Sequence, residues 1–512
     1  MHPKNVYKNG VNFAQLAKES PGFEKCLKGS TSINFHDPES IRQLAKALLK
    51  KEFNLEVDLP EDRLCPGILT RYLVRLNYIL WLNDLLLDTH EERSSPGPPK
   101  VTGIDIGTGA SAIYPLLGCA QFPTWRFFAT EIDSKSLSSA ASNISQNILE
   151  DRITLLDVSS SSTILPEGEI VSYSQPIDFT MCNPPFYTSI NDMLSSAKTK
   201  AVPPLSACTG STTEMVTNGG EVAFVNRMVE ESLKLKEKAR WYTSMLGKRS
   251  SVEKVVEKLK ESGVANYVVG EFVQGAKTKR WAVGWSFGHR RAGDHISRQP
   301  TSHLLRSHLP FPTTFKIPLP IDAGLSTLLP RVEELMKKSC GDFPAESFEW
   351  SSVQLPYFAT MYGTVETLYS NGKGETNGNT WARAARRRRK QLEKEAAEGR
   401  ISEIPQEPKF GFAAGIFIGL SGPAPEAGVA GKGDPSTQEE GKKGDEDQDM
   451  VDETDAWDHD FISLPASSME PEASKGSYIL LRWTIGVDHV IWESFCGMLR
   501  RKLLEGLTEM KA

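Results

Sequence analysis

The feature that most constrains this 512-residue chain is a proline pair that ends a short apolar run. The run, Ile177–Cys182, has the length and composition of a buried strand. Pro184 and Pro185 stop that strand, and because they carry no N–H, the carbonyls at the turn stay free to accept hydrogen bonds from a ligand. The carboxamide of Asn183 adds another acceptor, and Phe186 adds a flat apolar face. The pattern predicts a receptor for a planar NH2 group.

Such a receptor has a specific chemical use. Acceptors that engage both amino hydrogens draw the nitrogen lone pair out of conjugation, and an aromatic side chain stacks on the attached ring. The arrangement suits transfer of a methyl group to the exocyclic amine of a base that has been flipped out of its stack. A strand followed by a proline-rich turn also occurs without any such site, so the motif needs a second element to support it.

A glycine-rich turn follows another apolar strand, roughly 80 residues upstream. Val101–Ile106 leads into Gly107-Thr108-Gly109-Ala110-Ser111, and two glycines at this spacing let the backbone approach a ligand at the carboxyl end of a strand. Asp105 stands just before the turn, where a carboxylate reaches a cationic group. A second strand, residues 125–130, is followed by Glu131, which suits ribose hydroxyls. A dinucleotide site shares this logic, so the glycine turn alone does not distinguish a dehydrogenase from a methyltransferase.

The order of the elements separates these two classes. Strand, glycine turn, second strand with a terminal acid, and then Asn-Pro-Pro-Phe is the order found in S-adenosylmethionine-dependent amino methyltransferases, whereas a hydride-transfer enzyme has no use for an amine receptor. Over about residues 1–290 the chain resembles the methyltransferase-like 16 family, the eukaryotic U6 small nuclear RNA adenine-N6 methyltransferases, which are similar to a bacterial large-subunit ribosomal RNA adenine-N6 methyltransferase. The segments that carry the resemblance are residues 75–79, 103–118, 181–186 and 240–248.

The resemblance implies a cofactor, S-adenosyl-L-methionine, and a set of site residues. Arg75 would contact its methionine carboxylate and Glu131 its ribose, while Asn183 and the carbonyl of Pro184 would hold the adenine amine and Phe186 would stack on the base. A short loop at residues 161–163 would close over the cofactor, but the lysine that relatives carry there is missing. No metal is expected. The predicted catalytic residues are Asn183, Pro184, Pro185 and Phe186, and the predicted cofactor-binding residues are Arg75, Asp105, Gly107, Thr108, Gly109, Ser111, Glu131, Ser162, Thr163 and Asn183.

Composition favours an intracellular protein. The seven cysteines are scattered and form no CxxC pair, which argues against a disulfide framework or a zinc site and indicates a reducing compartment. No apolar run is long enough to span a bilayer, and the first residues lack the apolar core of a signal peptide. The formal charge of −6 is unevenly spread, with an acidic tract within residues 434–460 and a basic run at residues 383–390.

The chain divides into four predicted regions. Residues 1–95 have helical patterns at 38–53 and 69–87 and form, by resemblance, an RNA-binding module. Residues 96–290 alternate strands and helices, which predicts an α/β fold with a Rossmann-like class I methyltransferase sheet and an antiparallel edge hairpin. Residues 291–320 are predicted to be a linker. Residues 321–512 have the pattern helix, four strands, helix, with disordered insertions at about 370–408 and 420–475, and resemble the kinase-associated-1-like RNA-binding module of larger family members. A generic α+β domain is the alternative for this last region.

RNA contacts are expected in three places. Lys4, Tyr7 and Lys8 align with the basic entry groove of the family, although Val6 stands where a basic residue is expected. A hairpin turn carries further basic residues, and the basic run at 383–390 suits both phosphate contact and nuclear import. The predicted RNA-binding residues are Lys4, Tyr7, Lys8, Lys279, Arg280, Arg386, Arg387, Arg388 and Arg389.

The sequence therefore predicts an RNA N6-adenosine methyltransferase. U6 small nuclear RNA is its expected main substrate and messenger RNA hairpins are further candidates. We expect a monomer without membrane association, located in the nucleus and also in the cytoplasm. A protein-glutamine N5 methyltransferase is one alternative, because a side-chain amide presents a similar NH2 to the same motif. A splicing regulator that binds RNA and merely retains the fold is the other. The helical module and the basic run favour RNA, and the intact motifs favour catalysis.

Overall fold

A seven-stranded sheet organises the first part of the chain. The computed structural model describes residues 2–29, 32–63, 70–90, 99–189, 212–274, 278–319, 330–335, 350–354, 358–366, 369–370, 375–376, 409–417, 478–486 and 488–508. The strands of this sheet are β1 Val101–Ile106, β2 Trp125–Glu131, β3 Ile153–Asp157, β4 Ile177–Cys182, β5 Ala239–Leu246, β6 Asn266–Gln274 and β7 Thr278–Ser286. They follow one another in the spatial order β3-β2-β1-β4-β5-β7-β6, with β7 antiparallel to both neighbours and the other pairs parallel. The predicted Rossmann-like class I methyltransferase sheet with an antiparallel edge hairpin is confirmed.

Among the described residues, four helices precede the sheet, and both helices predicted in this region are present. The third begins where Asp37 accepts a hydrogen bond from the N–H of Ser40 at 2.9 Å, with Pro38 in the first helical position, and it ends at Asn54 with a left-handed φ of 52°. Two short strands, Leu27–Lys28 and Ser32–Ile33, pair antiparallel between the second and third helices. The helices are α1 Phe13–Glu19, α2 Pro21–Glu24, α3 Pro38–Phe53 and α4 Thr70–Asp88.

Helix α4 belongs to the core that covers the sheet. Tyr78 and Trp81 are buried in it, and both rings pack against Phe272 of β6, with centroid separations of 5.9 and 6.1 Å. The indole N–H of Trp81 donates to the carbonyl of Ile296 at 3.2 Å. The predicted boundary at residue 95 therefore does not separate two cores, because α4 and the sheet share one.

The remaining helices complete two apolar layers, one on each face of the sheet. These helices are α5 Ile113–Gln121, α6 Ser134–Gln146, α7 Glu167–Ser172, α8 Thr212–Met215, α9 Gly220–Leu235 and α10 Arg249–Glu261, and a 3-10 turn, Lys236–Lys238, follows α9. The first layer joins α1 to α6 with β1, β2 and β6, and the second joins α7, α9 and α10 with β4, β5 and β7. Within the described part of the chain, no helix has both the length and the hydropathy needed to cross a membrane.

A second, fully antiparallel sheet forms in the carboxyl-terminal part. Its elements are β8 Thr314–Pro318, β9 Trp350–Gln354, β10 Phe358–Glu366, β11 Lys409–Phe417, β12 Tyr478–Trp483 and α12 His489–Thr508. The spatial order of the strands is β8-β12-β11-β10-β9, and the predicted succession of helix, four strands and helix is present among these elements. Residues 330–335 are helical and approach the final helix closely, since a Cβ on Gly506 would lie 2.4 Å from Leu335 Cδ2. The predicted insertions lie outside the described residues, apart from the paired strands Tyr369–Ser370 and Glu375–Thr376.

The segment predicted as a linker, residues 291–320, is instead structured. It contains helix α11, Asp294–Ser297, a 3-10 turn, His303–His308, and strand β8, which is the fifth strand that the sequence did not indicate. The strand was missed because it has only five residues, ends in a proline and contains just two apolar side chains before that proline, Phe315 and Ile317. Antiparallel pairing with β12 stabilises an extended conformation that the local sequence pattern does not predict.

The two sheets meet at a buried junction. The N–H of Arg291 donates to the carbonyl of Thr484 at 2.8 Å, and its guanidinium lies 3.9 Å from the ring centroid of Trp483. Burial lowers the pKa of Arg291 to about 10. At the end of α4, Asp88 forms an ion pair with Arg482 at 2.5 Å and accepts the N–H of Gly293 at 2.7 Å. The second sheet is thus joined to α4 and to the residues that follow β7.

We expect Asp88→Ala to lower the free energy of unfolding by about 3 kcal/mol, because it leaves the Arg482 charge, 4% exposed, buried without its carboxylate. Urea denaturation followed by tryptophan fluorescence measures the change. Asp151→Ala is the matched control, since Asp151 is exposed. An equal change in both variants would contradict a stabilising role for the junction.

Candidate functional site

The predicted site residues meet at the carboxyl edge of the first sheet. Ile106 is the register partner of both Thr130 on β2 and Cys182 on β4. The residues one step further along are Gly107, Glu131 and Asn183, which lie at or just after the ends of neighbouring strands about 4.8 Å apart. The structure therefore brings together the glycine turn (residues 107–111), the acid at the end of β2 and the amine receptor (residues 183–186), as the sequence predicted.

The glycine turn depends on a backbone shape that other residues rarely adopt. Gly107 and Gly109 have φ of +68° and +66°, in the left-handed region. The N–H of Thr108 donates to the carbonyl of Thr130 at 2.8 Å, which ties the turn to β2. A Cβ on Gly107 would meet no atom within 4 Å among the described residues. The turn therefore presents bare backbone to an open space, as close approach to a ligand requires.

Glu131 helps to hold this turn. Its Oε2 accepts the N–H of Gly109 at 2.8 Å, and its Oε1 accepts the N–H groups of Ile132 and Asp133, both at 2.9 Å. The side chain is buried, and burial raises the pKa of its carboxyl, while the three N–H groups oppose that rise. Oε2 accepts one hydrogen bond, from Gly109, among the described residues, so a lone pair remains for a ligand hydroxyl.

Asp105 is the most unusual group of the site. It is 1% exposed, and neither carboxyl oxygen has a hydrogen-bond partner among the described residues. Burial raises its pKa from 3.8 to about 7, against the lowering effects of the Thr108 hydroxyl and the Arg75 charge. The Thr108 hydroxyl is also buried without a formed hydrogen bond in the described structure. Buried polar groups in this state indicate a place for a polar ligand.

The raised pKa of Asp105 predicts how stability depends on pH. The unfolded carboxyl ionises near pH 3.8 and the folded one near 7, so the folded state binds more protons between these values, and stability falls as pH rises through this window. We expect Asp105→Asn, which cannot ionise, to gain roughly 2 kcal/mol relative to the unsubstituted protein between pH 5 and pH 8. Urea denaturation of the ligand-free proteins at both pH values measures this. A stability difference that stays constant with pH would contradict a buried Asp105.

Arg75 enters the site from α4. Its side chain is buried, and the guanidinium carbon lies 5.2 Å from the ring centroid of Tyr114 on α5. The positive charge lowers the pKa of Asp105 and that of Tyr114, although burial raises both pKa values more strongly. A cation beside the glycine turn suits a carboxylate ligand group, as the resemblance implied. Tyr114, which supports it, was not singled out from the sequence.

The amine receptor contains a buried hydrogen-bond acceptor. The carboxamide oxygen of Asn183 is buried and has no hydrogen-bond partner among the described residues. Phe186 is half-buried, and its Cδ1 lies 3.2 Å from where a Cβ on Gly247 would be, so the ring packs against backbone at the end of β5. Glu221 fixes that backbone by accepting the N–H groups of Gly247 and Lys248 at 2.8 and 3.2 Å. Glu221 was not predicted, because no local pattern in the sequence marks it as buried or as a partner of Gly247.

A chain of hydroxyl groups connects α4 to the receptor strand. The hydroxyls of Tyr78 and Thr243 lie 2.7 Å apart, and the Thr243 hydroxyl donates to the carbonyl of Thr180 at 2.7 Å. All three residues are buried. The helix that carries Arg75 and the strand that carries Asn183 are therefore held at a fixed separation.

The loop after β3 is held by hydrogen bonds within the loop and by hydrogen bonds to α9. The hydroxyl of Thr163 donates to the carbonyl of Leu165 at 2.9 Å, and Ser161 bonds to the Thr163 carbonyl at 3.0 Å. Glu231 on α9 accepts the N–H groups of Ile164 and Leu165, at distances of 2.9 and 2.8 Å. The carbonyl of Ser162 accepts from Arg227. The contacts of Ser162 and Thr163 with a cofactor remain a prediction.

The amino-terminal basic residues stand on an ordered segment. Asn5 donates to the Asn77 carboxamide at 2.8 Å, which fixes this segment to α4. Lys4 and Lys8 are exposed, in keeping with phosphate contact. The structure differs from the prediction for Tyr7: its side chain is 3% exposed and its hydroxyl donates to the Leu48 carbonyl at 3.4 Å, so the side chain packs in the core.

The remaining predicted RNA-binding residues lie either in the β6–β7 hairpin or outside the described residues. Lys279 forms an ion pair with Glu271 at 2.7 Å, and a guanidinium nitrogen of Arg280 donates to the Lys279 carbonyl at 3.0 Å, so both side chains also serve the β6–β7 hairpin. Arg386, Arg387, Arg388 and Arg389 lie outside the described residues.

The residues at the sheet edge fit S-adenosylmethionine. This molecule carries a carboxylate, an ammonium, a sulfonium and ribose hydroxyls. Arg75 supplies a cation for the first, the unpartnered oxygens of Asp105 supply acceptors for a cationic group, and Glu131 retains an acceptor for a hydroxyl. The open space over Gly107 leaves room for close approach.

Comparisons with known proteins agree with this arrangement. A family model described as RNA methyltransferase matches residues 1–289. The RNA N(6)-adenosine-methyltransferase METTL16 of Mus musculus is 41% identical over 298 residues, which cover 56% of this chain and 51% of that protein. The U6 small nuclear RNA (adenine-(43)-N(6))-methyltransferase of Schizosaccharomyces pombe is 42% identical over 278 residues, 54% of this chain and 68% of that protein. The chain thus spans about half the length of the mouse relative.

A solved structure is also similar. The crystal structure of the human METTL16 catalytic domain in complex with MAT2A 3'UTR hairpin 1 has a TM-score of 0.50 and 40% sequence identity, and the match covers 56% of this chain and 95% of that one. The buried junction with the second sheet begins where the family match ends, at residues 289–291.

Proposed function

This chain belongs to the RNA methyltransferase family that its residues 1–289 match, the methyltransferase-like 16 family, and from this premise we propose that it is an RNA N6-adenosine methyltransferase. It transfers the methyl group of S-adenosylmethionine to the exocyclic amine of an adenine in structured RNA. U6 small nuclear RNA is the proposed main substrate, because that is the substrate named for the fission yeast relative. A messenger RNA hairpin is a second candidate, since the human relative was crystallised with one.

The observation that carries the proposal is the placement of Asn183. Its buried carboxamide oxygen, without a partner among the described residues, follows the strand next to the glycine turn. An amine that donates to this oxygen and to the Pro184 carbonyl is held at the edge where the glycine turn lies. Phe186 offers its ring to the base that carries the amine.

The contribution of the protein is mainly positioning. S-adenosylmethionine, when bound, supplies a methyl group already activated by a cationic sulfur. Asn183 and Pro184 orient the amine, Arg75 and Asp105 provide charges for the polar groups of the donor, and Glu131 provides an acceptor for its ribose. Correct placement of two reactants accounts for much of the acceleration when no acid or base is required.

The test is transfer of label from methyl-labelled S-adenosylmethionine. We expect a U6-like hairpin to accept label and a release-factor protein to remain unlabelled. Label on the protein and none on the RNA would favour the glutamine methyltransferase alternative. Label on neither, with RNA still bound, would favour a non-catalytic RNA-binding protein.

Nuclear location is proposed on separate grounds. The basic run at residues 383–390 matches the composition that import receptors recognise, and it also suits phosphate contact.

A further inference from the structure

Glu214 reaches the glycine turn from the receptor side of the site. It lies in α8, and its Oε1 is 3.6 Å from the position that a Cβ on Gly109 would take. The residues after it are tied to the end of the receptor: the N–H of Tyr187 donates to the Met215 carbonyl, and the N–H of Thr217 donates to the Tyr187 carbonyl, both at 3.0 Å. Glu214 is therefore held between the glycine turn and the segment that follows the amine receptor.

Three carboxyl groups thus surround one backbone turn. Asp105 is buried with both oxygens unpartnered among the described residues, and Glu131 is buried beside it. Burial raises the pKa of Glu131, and the charge of Glu214 raises it further. Arg63 also interacts with Glu214, but it is bound to Asp133 at 2.9 Å and to the Ser136 hydroxyl at 3.1 Å. The charge of Arg63 is therefore shared between Glu214 and Asp133.

Carboxylates brought together away from water repel one another unless a cation lies among them. Glu214 adds a negative charge beside a turn that is already held by Glu131 and by the carbonyl of Thr130. The unpartnered oxygens of Asp105 show that the local charge is complementary to a ligand. A cationic ligand is the class that this concentration of carboxyl groups favours.

We propose that Glu214 is a specificity-determining residue of the cofactor site, whose negative charge favours the cationic methyl donor over its uncharged thioether product. The inference rests on the proposed function and deepens it. In the transfer, the carbon–sulfur bond breaks, the methyl group joins the amine nitrogen, the sulfonium becomes a thioether and the amine loses a proton. The product therefore lacks a positive charge that the donor has.

Because of this charge difference, the carboxylate of Glu214 attracts the donor more strongly than the product. Coulomb interactions extend over several ångströms in a partly buried site, so contact with the sulfur is not required. Glu214 strengthens binding of the donor and leaves binding of the product almost unchanged. The consequence for the enzyme is weaker inhibition by its own product.

The test is calorimetric titration of the full chain with S-adenosylmethionine and with S-adenosylhomocysteine. For Glu214→Gln, which removes the charge and keeps the size, we expect the Kd for S-adenosylmethionine to rise about five- to twentyfold. The Kd for S-adenosylhomocysteine should change less than about twofold. The difference should be larger at low salt than at high salt. Glu214→Asp keeps the charge and should retain the preference, and Glu237→Gln, an exposed site at the opposite edge of the sheet, should change neither Kd.

Each other result has a defined meaning. Equal weakening of both ligands would show that Glu214 shapes the turn, and tighter binding of both would show that it blocks the site; either result would overturn the inference. An unchanged preference for the donor would overturn it as well. If the unsubstituted chain binds neither compound, the proposed function itself fails, so the two failures are distinguishable.

Discussion

Asn183→Ala is expected to lower the rate of methyl transfer to RNA by at least about a thousandfold. The substitution removes the buried acceptor that follows β4 and leaves the strand itself intact. Without that acceptor, the adenine amine has no fixed direction relative to the donor, and positioning supplies most of the acceleration in a reaction that needs little acid or base catalysis. Single-turnover assays on a hairpin RNA, with enzyme in excess, measure the effect on the chemical step.

Binding measurements on the same variant provide the control. The Kd values for S-adenosylmethionine and for RNA should stay within about threefold of the original, because the phosphate contacts and most donor contacts remain. Asn183→Asp, which keeps an acceptor but adds a charge, should retain part of the activity. Full activity in Asn183→Ala would remove Asn183 from the mechanism, and equal loss of RNA binding would assign it to substrate affinity instead.

Gly107→Val is expected to abolish cofactor binding, with an affinity loss of at least about a thousandfold. A β-branched side chain at a φ of +68° is strained, and its branched carbon enters the open space that faces the turn. Both effects act at the point where the backbone has to approach the cofactor. Calorimetric titration with S-adenosylmethionine measures the loss, and it should be accompanied by a stability cost of about 1–2 kcal/mol.

Gly263→Val is the control that distinguishes the effect of backbone strain from the effect of a side chain that blocks the cofactor site. Gly263 has a similar φ of +73°, a Cβ there would also meet no described atom within 4 Å, and it lies between α10 and β6 at the opposite edge of the sheet. This variant should lose similar stability and keep cofactor affinity. If Gly263→Val weakened cofactor binding as much as Gly107→Val, the effect would be one of general destabilisation, and the glycine turn would lose its proposed role.

The site could be predicted largely because its residues lie next to strand ends. Asp105, Glu131 and Asn183 each stand at or just after a short apolar run, and parallel strands bring such positions to one edge. The turn at Gly107 was recognisable because glycine is the residue that tolerates its φ. The order of these elements then excluded a hydride-transfer site.

What could not be predicted depends on contacts between distant residues. Glu214 and Glu221 lie beyond a long polar stretch, and no local pattern shows that they turn back to Gly109 and Gly247. Tyr7 was expected to contact RNA because it aligns, with Lys4 and Lys8, with the basic entry groove of the family, but its aromatic ring packs in the core. Strand β8 was assigned to a linker because its order comes from pairing with β12, roughly 160 residues away in the chain. Such features depend on the tertiary structure.

The position of the transferred methyl group tests the central claim most directly. A hairpin RNA incubated with the protein and S-adenosylmethionine is digested to nucleosides, and the products are identified by mass spectrometry against standards. An amine receptor at the sheet edge predicts N6-methyladenosine with the unsubstituted protein and none with Asn183→Ala. Methyl groups on a ring nitrogen or on a ribose hydroxyl, or N6-methyladenosine formed equally well by the variant, would contradict it.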